Sequence, residues 1–206
     1  MDVIVAITGA SGTPYGLRLV KELLRRGDDV YLIISPSAFI VLKEEAGLEW
    51  EEGGARGDGG EAALWRLLEG EETERLHYVA HNDLLSPLAS GSSLKRLMIV
   101  CPASMGTVAR IAGGISGNLI ERAGDCILKE GGRLVLVPRE MPLNTIHLEN
   151  LLKLSRMGVS IVPAMPAFYT KPESIEDIVR FVVGKVLDAA GIENDLYRRW
   201  SGERPA

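Results

Sequence analysis

Gly9, Gly12 and Gly16 recur as GxxGxxxG in AITGASGTPYG (Ala6 to Gly16), directly after the apolar run DVIVAIT and before a helical pattern. Glycines at such a junction permit a tight turn and a close backbone approach. Ser11 and Thr13 bring hydroxyls to a helix N-terminus, where free amides and the helix dipole favour a phosphate. The spacing is not the GxGxxG of dinucleotide-binding loops. A ribose-binding acid, expected about 20 residues further on, has only Asp28 and Asp29 as candidates. Both precede the second apolar run instead of ending it, and the residue that ends it is Ser35. A dinucleotide is therefore disfavoured. A mononucleotide phosphate and a turn of small residues serving packing alone both remain open.

A second loop of the same character is CPASMGT (Cys101 to Thr107), which offers Ser104 and Thr107 around Met105 and Gly106 after another apolar run. Two hydroxyl-rich loops after two strands suit one small phosphorylated ligand lying across a switch point in a sheet, although a loop of small residues can also serve packing. Arg139 and Glu140 follow RLVLV, where charge is unusual unless it is useful. Arg122 and Lys129 lie seven apart on a helical pattern, on one face and about 10 Å apart. They form either a solvated face with Asp125 as partner or a second anion site. Tyr169, in a proline-bounded loop, is placed to cover an aromatic ligand. His77 and His81 have the spacing of a metal pair on a helix but no third ligand, and with His147 they read as structural.

These residues need elements to hold them. DVIVAIT, DVYLIIS, RLMIVCPAS, RLVLVP and VSIVPA read as buried strands. Pro14 to Arg26, a segment ending near Ala46, Asn118 to Glu130, PLNTIHLENLLKLSRMG and Ser174 to about Gly191 read as helices. Ser174 with Asp177 forms a capping box. The alternation predicts an α/β fold, a Rossmann-like (flavodoxin-like) three-layer sandwich with a mostly parallel sheet. Its ligands belong at the carboxyl ends of the strands, which here read TGAS, ISPS, CPASMGT, VPRE and VPAMPAFY. We read residues 1–206 as one domain, with an acidic, glycine-rich surface excursion at about 49–75 that carries a short helix around Ala62 to Leu68 and is the least core-like part of the chain.

Charge and composition exclude several classes. A net charge of −5 argues against a nucleic-acid binder driven by counterion release. No apolar run is long enough to span a bilayer, and no basic segment precedes the first strand as in a signal peptide. The two cysteines, Cys101 and Cys126, sit in no CxxC or Cys/His cluster, which fits a reduced, cytoplasmic setting.

TGASGTPYG, ISPS, ASGSS (Ala89 to Ser93), CPASMGT, ERAGDCILKE, LVLVPRE, HLENLLKLS and PAFYTKPES, in this order and over nearly the whole chain, resemble the flavin prenyltransferases of the UbiX type. That family resembles the pantothenate-pathway and lantibiotic cysteine decarboxylases in fold. The catalytic His motif and PASANT-type loop of those relatives are absent here, where the corresponding loop reads CPASMGT. The resemblance implies transfer of a dimethylallyl group from dimethylallyl monophosphate to N5 and C6 of reduced FMN. The prenylated FMN then serves a UbiD-type decarboxylase. By the same resemblance FMN is held by Gly9, Ala10, Ser11, Ser35, Ser104, Met105, Gly106, Thr107 and Arg139. The prenyl phosphate is met by Ser90, Arg122, Lys129, Glu140, Tyr169 and Lys185, partly across a subunit interface of a homo-oligomer, by family likeness a dodecamer.

Glu45 and Trp200 match positions that shape the prenyl site and support proton transfer. Glu140, Glu45, Ser11, Tyr169 and Trp200 are thus the catalytic candidates. Lys185 stands where the family has arginine, which keeps the charge and loses the bidentate fork. No metal is expected: the DDxxD of diphosphate-using prenyltransferases does not occur. The base for the C6 proton is Glu140, Glu45 or the released phosphate. Two other functions share the flavin loops, an FMN-dependent decarboxylase and a non-catalytic FMN carrier. The second anion set distinguishes the carrier, which has no use for it.

Overall fold

Strand β1 (Asp2–Ile7) shows why this chain builds a covered sheet. Val3, Val5 and Ile7 pack into one apolar cluster, and Ile4 and Ala6 into another. A strand sends successive side chains to opposite faces, so a run that is apolar at every position needs cover on both. The computed structural model describes residues 1–48, 50, 64, 68, 73–92 and 96–200. Within them the elements continue as α1 (Thr13–Arg25), β2 (Asp29–Ile34), α2 (Pro36–Ala46), β3 (Leu76–Tyr78), β4 (Leu97–Ala103), α3 (Met105–Ala112), α4 (Leu119–Lys129), β5 (Arg133–Pro138), α5 (Thr145–Arg156), β6 (Ser160–Ile161) and α6 (Ile175–Ala190).

The strands lie in the order β3-β2-β1-β4-β5-β6, every neighbouring pair parallel. Helices α1, α2 and α6 cover one face, and α3 and α4, with Leu154 of α5, cover the other. This is the α/β Rossmann-like three-layer sandwich that the alternation predicts. The order reverses between β1 and β4, so the crevice at the carboxyl ends opens between the loops TGAS and CPAS. Asp28 and Asp29 sit at the opposite, amino end of β2. There Asp28 is buried against the Met1 ammonium at 2.7 Å and Arg26 at 3.3 Å. No ribose-binding acid therefore stands at the ligand end of that strand.

The strong helical patterns are found within a residue or two of their expected ends, except that α5 starts at Thr145, three residues after the Pro142 at which its pattern begins in the sequence. Ser174 and Asp177 form the capping box, and Asn144 and His147 form a second one that gives His147 its structural role. The departures have local causes. Helix α3 occupies what reads in sequence as a loop of small residues: it is two turns long and starts with Gly106 in its first turn, too short for a periodic signal. Strand β3 is three residues long, and it removes the helical premise for a His77/His81 metal pair. His77 stacks on Tyr31 with ring centroids 4.8 Å apart and lies 3.5 Å from Asp29. Among the described residues no group of three or more His, Cys, Asp or Glu is placed to hold a metal ion, and no helix is long and apolar enough to cross a membrane.

The excursion at 49–75, the helix read at Ala62 to Leu68 and Ser93 of ASGSS lie largely outside the described residues. Leu64 and Leu68, which are described, are fully buried in the core, and the Trp50 ring meets Phe39 and Tyr78 at 5.0 and 4.5 Å. These three residues, among those described, pack against the core.

Candidate functional site

The three glycines of GxxGxxxG answer to three different constraints. A Cβ on Gly9 would lie 2.2 Å from Ser37 Oγ, so the β1 loop presses on the start of α2. Gly12 has φ of +108°, a conformation that side chains disfavour. A Cβ on Gly16 would lie 2.3 Å from the Cys101 carbonyl, where α1 crosses β4. The loop is thus shaped by close packing and by the turn together.

Helix α1 has Gly12 at its N-cap, which offers no side chain to its free amides. Glu45, near the end of α2, supplies the cap from outside. Its carboxylate accepts hydrogen bonds from Gly12 N at 3.0 Å, Thr13 N at 2.8 Å and Thr13 Oγ1 at 2.7 Å. Burial works against the charge on Glu45. The hydroxyls of Ser11 and Thr13 and the two amides together outweigh burial and hold its pKa below the usual carboxylate value. The anion position at the head of α1 is therefore filled by the chain's own carboxylate. Tyr15, one turn into α1, has its phenol pKa raised by burial, then by Cys101 and Glu45.

The next two helices keep open amino ends. Ser35 caps α2 by accepting from Ala38 N, and its hydroxyl lies 3.2 Å from that of Ser37. Ser104 caps α3 by accepting from Thr107 N, with its hydroxyl 3.0 Å from Thr107 Oγ1. Ser37, Met105 and Gly106 stand in first turns, where backbone N–H groups lack intrahelical acceptors, and a Cβ on Gly106 would meet nothing within 4 Å. Thr8 joins the two loops: its hydroxyl donates to the Pro102 carbonyl at 2.8 Å and accepts from Ser104 N at 2.8 Å. Ala10 is buried beside it, its N–H bonded to the Thr8 carbonyl at 2.7 Å. From the end of β5, Arg139 Nε donates to the Ser11 carbonyl at 3.0 Å. Its neighbour Glu140 is exposed and accepts from Met141 N at 3.0 Å, within its own turn. Gly9, Ala10, Ser11, Ser35, Glu45, Ser104, Met105, Gly106, Thr107, Arg139 and Glu140 thus gather at one end of the sheet.

Ser90, Arg122 and Lys129 form a second group. Arg122 Nε donates to the Ala89 carbonyl at 3.0 Å, with Asp125 at 3.7 Å, and Lys129 Nζ lies 3.3 Å from Glu130. A Cβ on Gly91, next to Ser90, would touch Lys129 Nζ at 2.7 Å. Lys129 ends α4 beside the amino end of β5, whereas Glu140 follows its carboxyl end. Six residues of strand at about 3.3 Å each separate them by about 20 Å. One chain does not bring Lys129 and Glu140 to one phosphate.

The third group is aromatic. Tyr169, in the loop after β6, meets Trp200 edge-on at 5.6 Å and Phe181 at 5.9 Å. Arg198 donates to the Tyr169 carbonyl at 3.2 Å. Lys185 on α6 lies 3.9 Å from Asp188 and 5.9 Å from the centre of the Tyr197 ring. Thr8 and Ser37 fall within the strand ends TGAS and ISPS but are not singled out by the sequence, and nothing in it singles out Asp188, Tyr197 and Arg199, which support the aromatic group from behind. Only Thr8 and Ser37 carry a signal, since both are hydroxyls at strand ends.

These features fit a flavin mononucleotide. Two helix amino ends with serine and threonine hydroxyls and one arginine converge on the crevice, and Gly9 brings backbone close to it. The flavoprotein family model matches residues 1–187. The flavin prenyltransferase UbiX of Halalkalibacterium halodurans is 49% identical over 200 residues, 97% of this chain and 93% of the relative. A dodecameric FMN-dependent UbiX-like decarboxylase from Escherichia coli O157:H7 superposes with a TM-score of 0.83 at 42% identity, covering 98% of this chain and 100% of that one. AnUbiX (PadA1), solved in complex with FMN and dimethylallyl pyrophosphate, superposes with a TM-score of 0.84 at 35% identity, covering 98% of both chains.

Proposed function

The chain belongs to the flavoprotein family and, within it, to the flavin prenyltransferases of the UbiX type, and from that premise we propose how its residues divide the work. The reaction is transfer of a dimethylallyl group from dimethylallyl monophosphate to N5 and C6 of FMN. When bound, reduced FMN supplies the nucleophilic ring positions. The observation that carries this reading is the pairing of a flavin crevice with basic and aromatic groups that a flavin holder would not need.

Ser35, Ser104, Thr107 and the first-turn amides of α2 and α3 hold the flavin. Gly9 and Ala10 let the backbone approach it, and Arg139 ties β5 to the Ser11 carbonyl beside it. The departing phosphate is met by Ser90, Arg122, Lys129 and Lys185, fixed charges that stabilise the anion as the allylic C–O bond breaks. Tyr169 and Trp200 turn electron-rich rings toward the allyl cation and keep water from it.

The two glutamates separate by environment. Glu45 is bound to two amides and hydroxyls, and its lowered pKa makes it a poor base; it fixes Ser11 and the head of α1. Glu140, with Met141 N as the bond to its carboxylate, takes the C6 proton.

The separation of Lys129 from Glu140 supports a site completed between subunits. Helix α5 buries Leu154 but exposes Leu148 and Leu152 together on one face, with exposed Ile146 and the 86% exposed Met141 at its start, apolar surface suited to another copy. We assign a homo-oligomer, with the dodecamer of the E. coli relative as the expected count. The product goes to a UbiD-type decarboxylase in the cytoplasm, a setting that agrees with two buried, unpaired cysteines. Anaerobic incubation with reduced FMN and dimethylallyl monophosphate, followed by mass spectrometry of the released flavin, tests the assignment. Release of unmodified flavin only would sink it.

A further inference from the structure

The carboxylate of Asp188 is crowded. Oδ1 accepts from Arg199 Nη2 at 2.8 Å and Asn194 Nδ2 at 2.9 Å, and Oδ2 accepts from Arg199 Nη1 at 3.2 Å and from the Tyr197 hydroxyl. Lys185, three residues earlier on the same face of α6, reaches only to 3.9 Å from Oδ2, beyond a hydrogen bond. Such a lysine and aspartate are natural helix partners, yet the guanidinium of Arg199 has taken the carboxylate in two-pronged fashion, the geometry arginine favours.

We propose that Arg199 is a positioning residue: by occupying Asp188 it leaves the Lys185 ammonium available to the phosphate of the prenyl donor. The inference rests on the assignment of Lys185 to that phosphate. Asp188, Arg199 and Lys185 together carry one positive charge; Arg199 has both terminal nitrogens bonded to the carboxylate, whereas Lys185, half-exposed, makes no hydrogen bond to it, so the unneutralised charge is the one on Lys185. Two features hold the arrangement. Tyr197 packs closely on α6 because residue 184 is glycine; a Cβ there would stand 2.5 Å from the ring edge. Arg199 and Lys185 both lie near the Tyr197 ring, at 5.4 and 5.9 Å from its centre. The Tyr197 phenol stays neutral, its pKa pushed up to about 12 by burial and by Asp188.

The test is calorimetric titration of the FMN-loaded, assembled protein with dimethylallyl monophosphate and with inorganic phosphate. In Arg199→Gln, Lys185 is expected to fall back onto Asp188, and both anions should bind about three- to fivefold more weakly, the scale of a partly exposed ion pair. Asp188→Asn removes the competitor and should leave the affinity unchanged or tighter. The double variant should return to the wild-type value. If Arg199 serves only to tie down the C-terminal segment, Asp188→Asn breaks the same clasp, and it and the double variant will bind as weakly as Arg199→Gln; that pattern overturns the inference. A Kd that rises in Lys185→Met but not in Arg199→Gln also overturns it, leaving the phosphate assignment standing. A Kd unmoved by Lys185→Met removes both.

Discussion

Replacing Glu45 by alanine strips helix α1 of its cap, because Gly12 has no side chain to substitute for the lost carboxylate. Two amides and the Thr13 hydroxyl lose their acceptor. A lost cap costs about 1 kcal/mol, and the lost negative charge at a helix head adds about 0.3–1 kcal/mol. Glu45 faces solvent, so screening holds the charge contribution to the lower end, and the sum is about 1–2 kcal/mol. For a chain of this size that lowers Tm by about 2–8 °C. Glu45→Gln keeps an acceptor and loses the charge, so it should fall between the two. The pKa of Glu45 is lowered in the folded protein. The charge therefore stabilises fully above the ordinary carboxylate value of 4.5, and its contribution is lost as pH falls through the lowered folded value. Thermal unfolding at fixed protein concentration, from pH 7 to pH 3, reads this directly. The gap between wild type and Glu45→Gln should be constant at neutral pH and close on acidification. A gap that persists unchanged at pH 3, or no loss in Glu45→Ala at pH 7, would refute the capping role.

Gly9→Ala puts a methyl into Ser37, and the start of α2 must move. FMN retention on gel filtration should drop at least about tenfold, while Gly124→Ala in α4, where a Cβ makes only ordinary contacts with Ile111 at 3.6 Å and beyond, should keep the flavin; equal retention in both is the contrary result. Arg139→Met should weaken FMN binding by about 1–3 kcal/mol in a flavin fluorescence titration, since it breaks the tie from β5 to the Ser11 carbonyl. Undiminished affinity would take Arg139 out of the flavin site. Glu140→Gln should keep FMN but slow turnover about 10²- to 10⁴-fold as general-base catalysis is lost. Full turnover would return the proton to Glu45 or to the released phosphate.

The elements with long patterns were legible because their signals are local. Apolar runs bounded by glycine and proline mark β1, β2, β4 and β5, and the serine and aspartate at 174 and 177 mark the start of α6. Helix α3 and strands β3 and β6 are short, with two, three or eight residues, and take their conformation from what they pack against. The crevice was legible for the same reason: its hydroxyls and glycines follow strands. Long-range partnerships were not. Nothing in the spacing of Gly12 and Glu45 announces a cap reaching across 33 residues, and nothing marks Asp188 as the point where Asn194, Tyr197 and Arg199 meet. Motif resemblance gathered Ser90, Lys129 and Glu140 into one site. The same resemblance put that site partly across a subunit interface, and the length of β5, which keeps Lys129 and Glu140 of one chain apart, agrees with that expectation.

The most direct measurement is the mass of the flavin released after anaerobic turnover with reduced FMN and dimethylallyl monophosphate. A gain of one five-carbon prenyl unit, lost in Glu140→Gln while flavin stays bound, is the expected result. Bound flavin of unchanged mass in the wild-type protein would contradict prenyl transfer and leave a flavin holder.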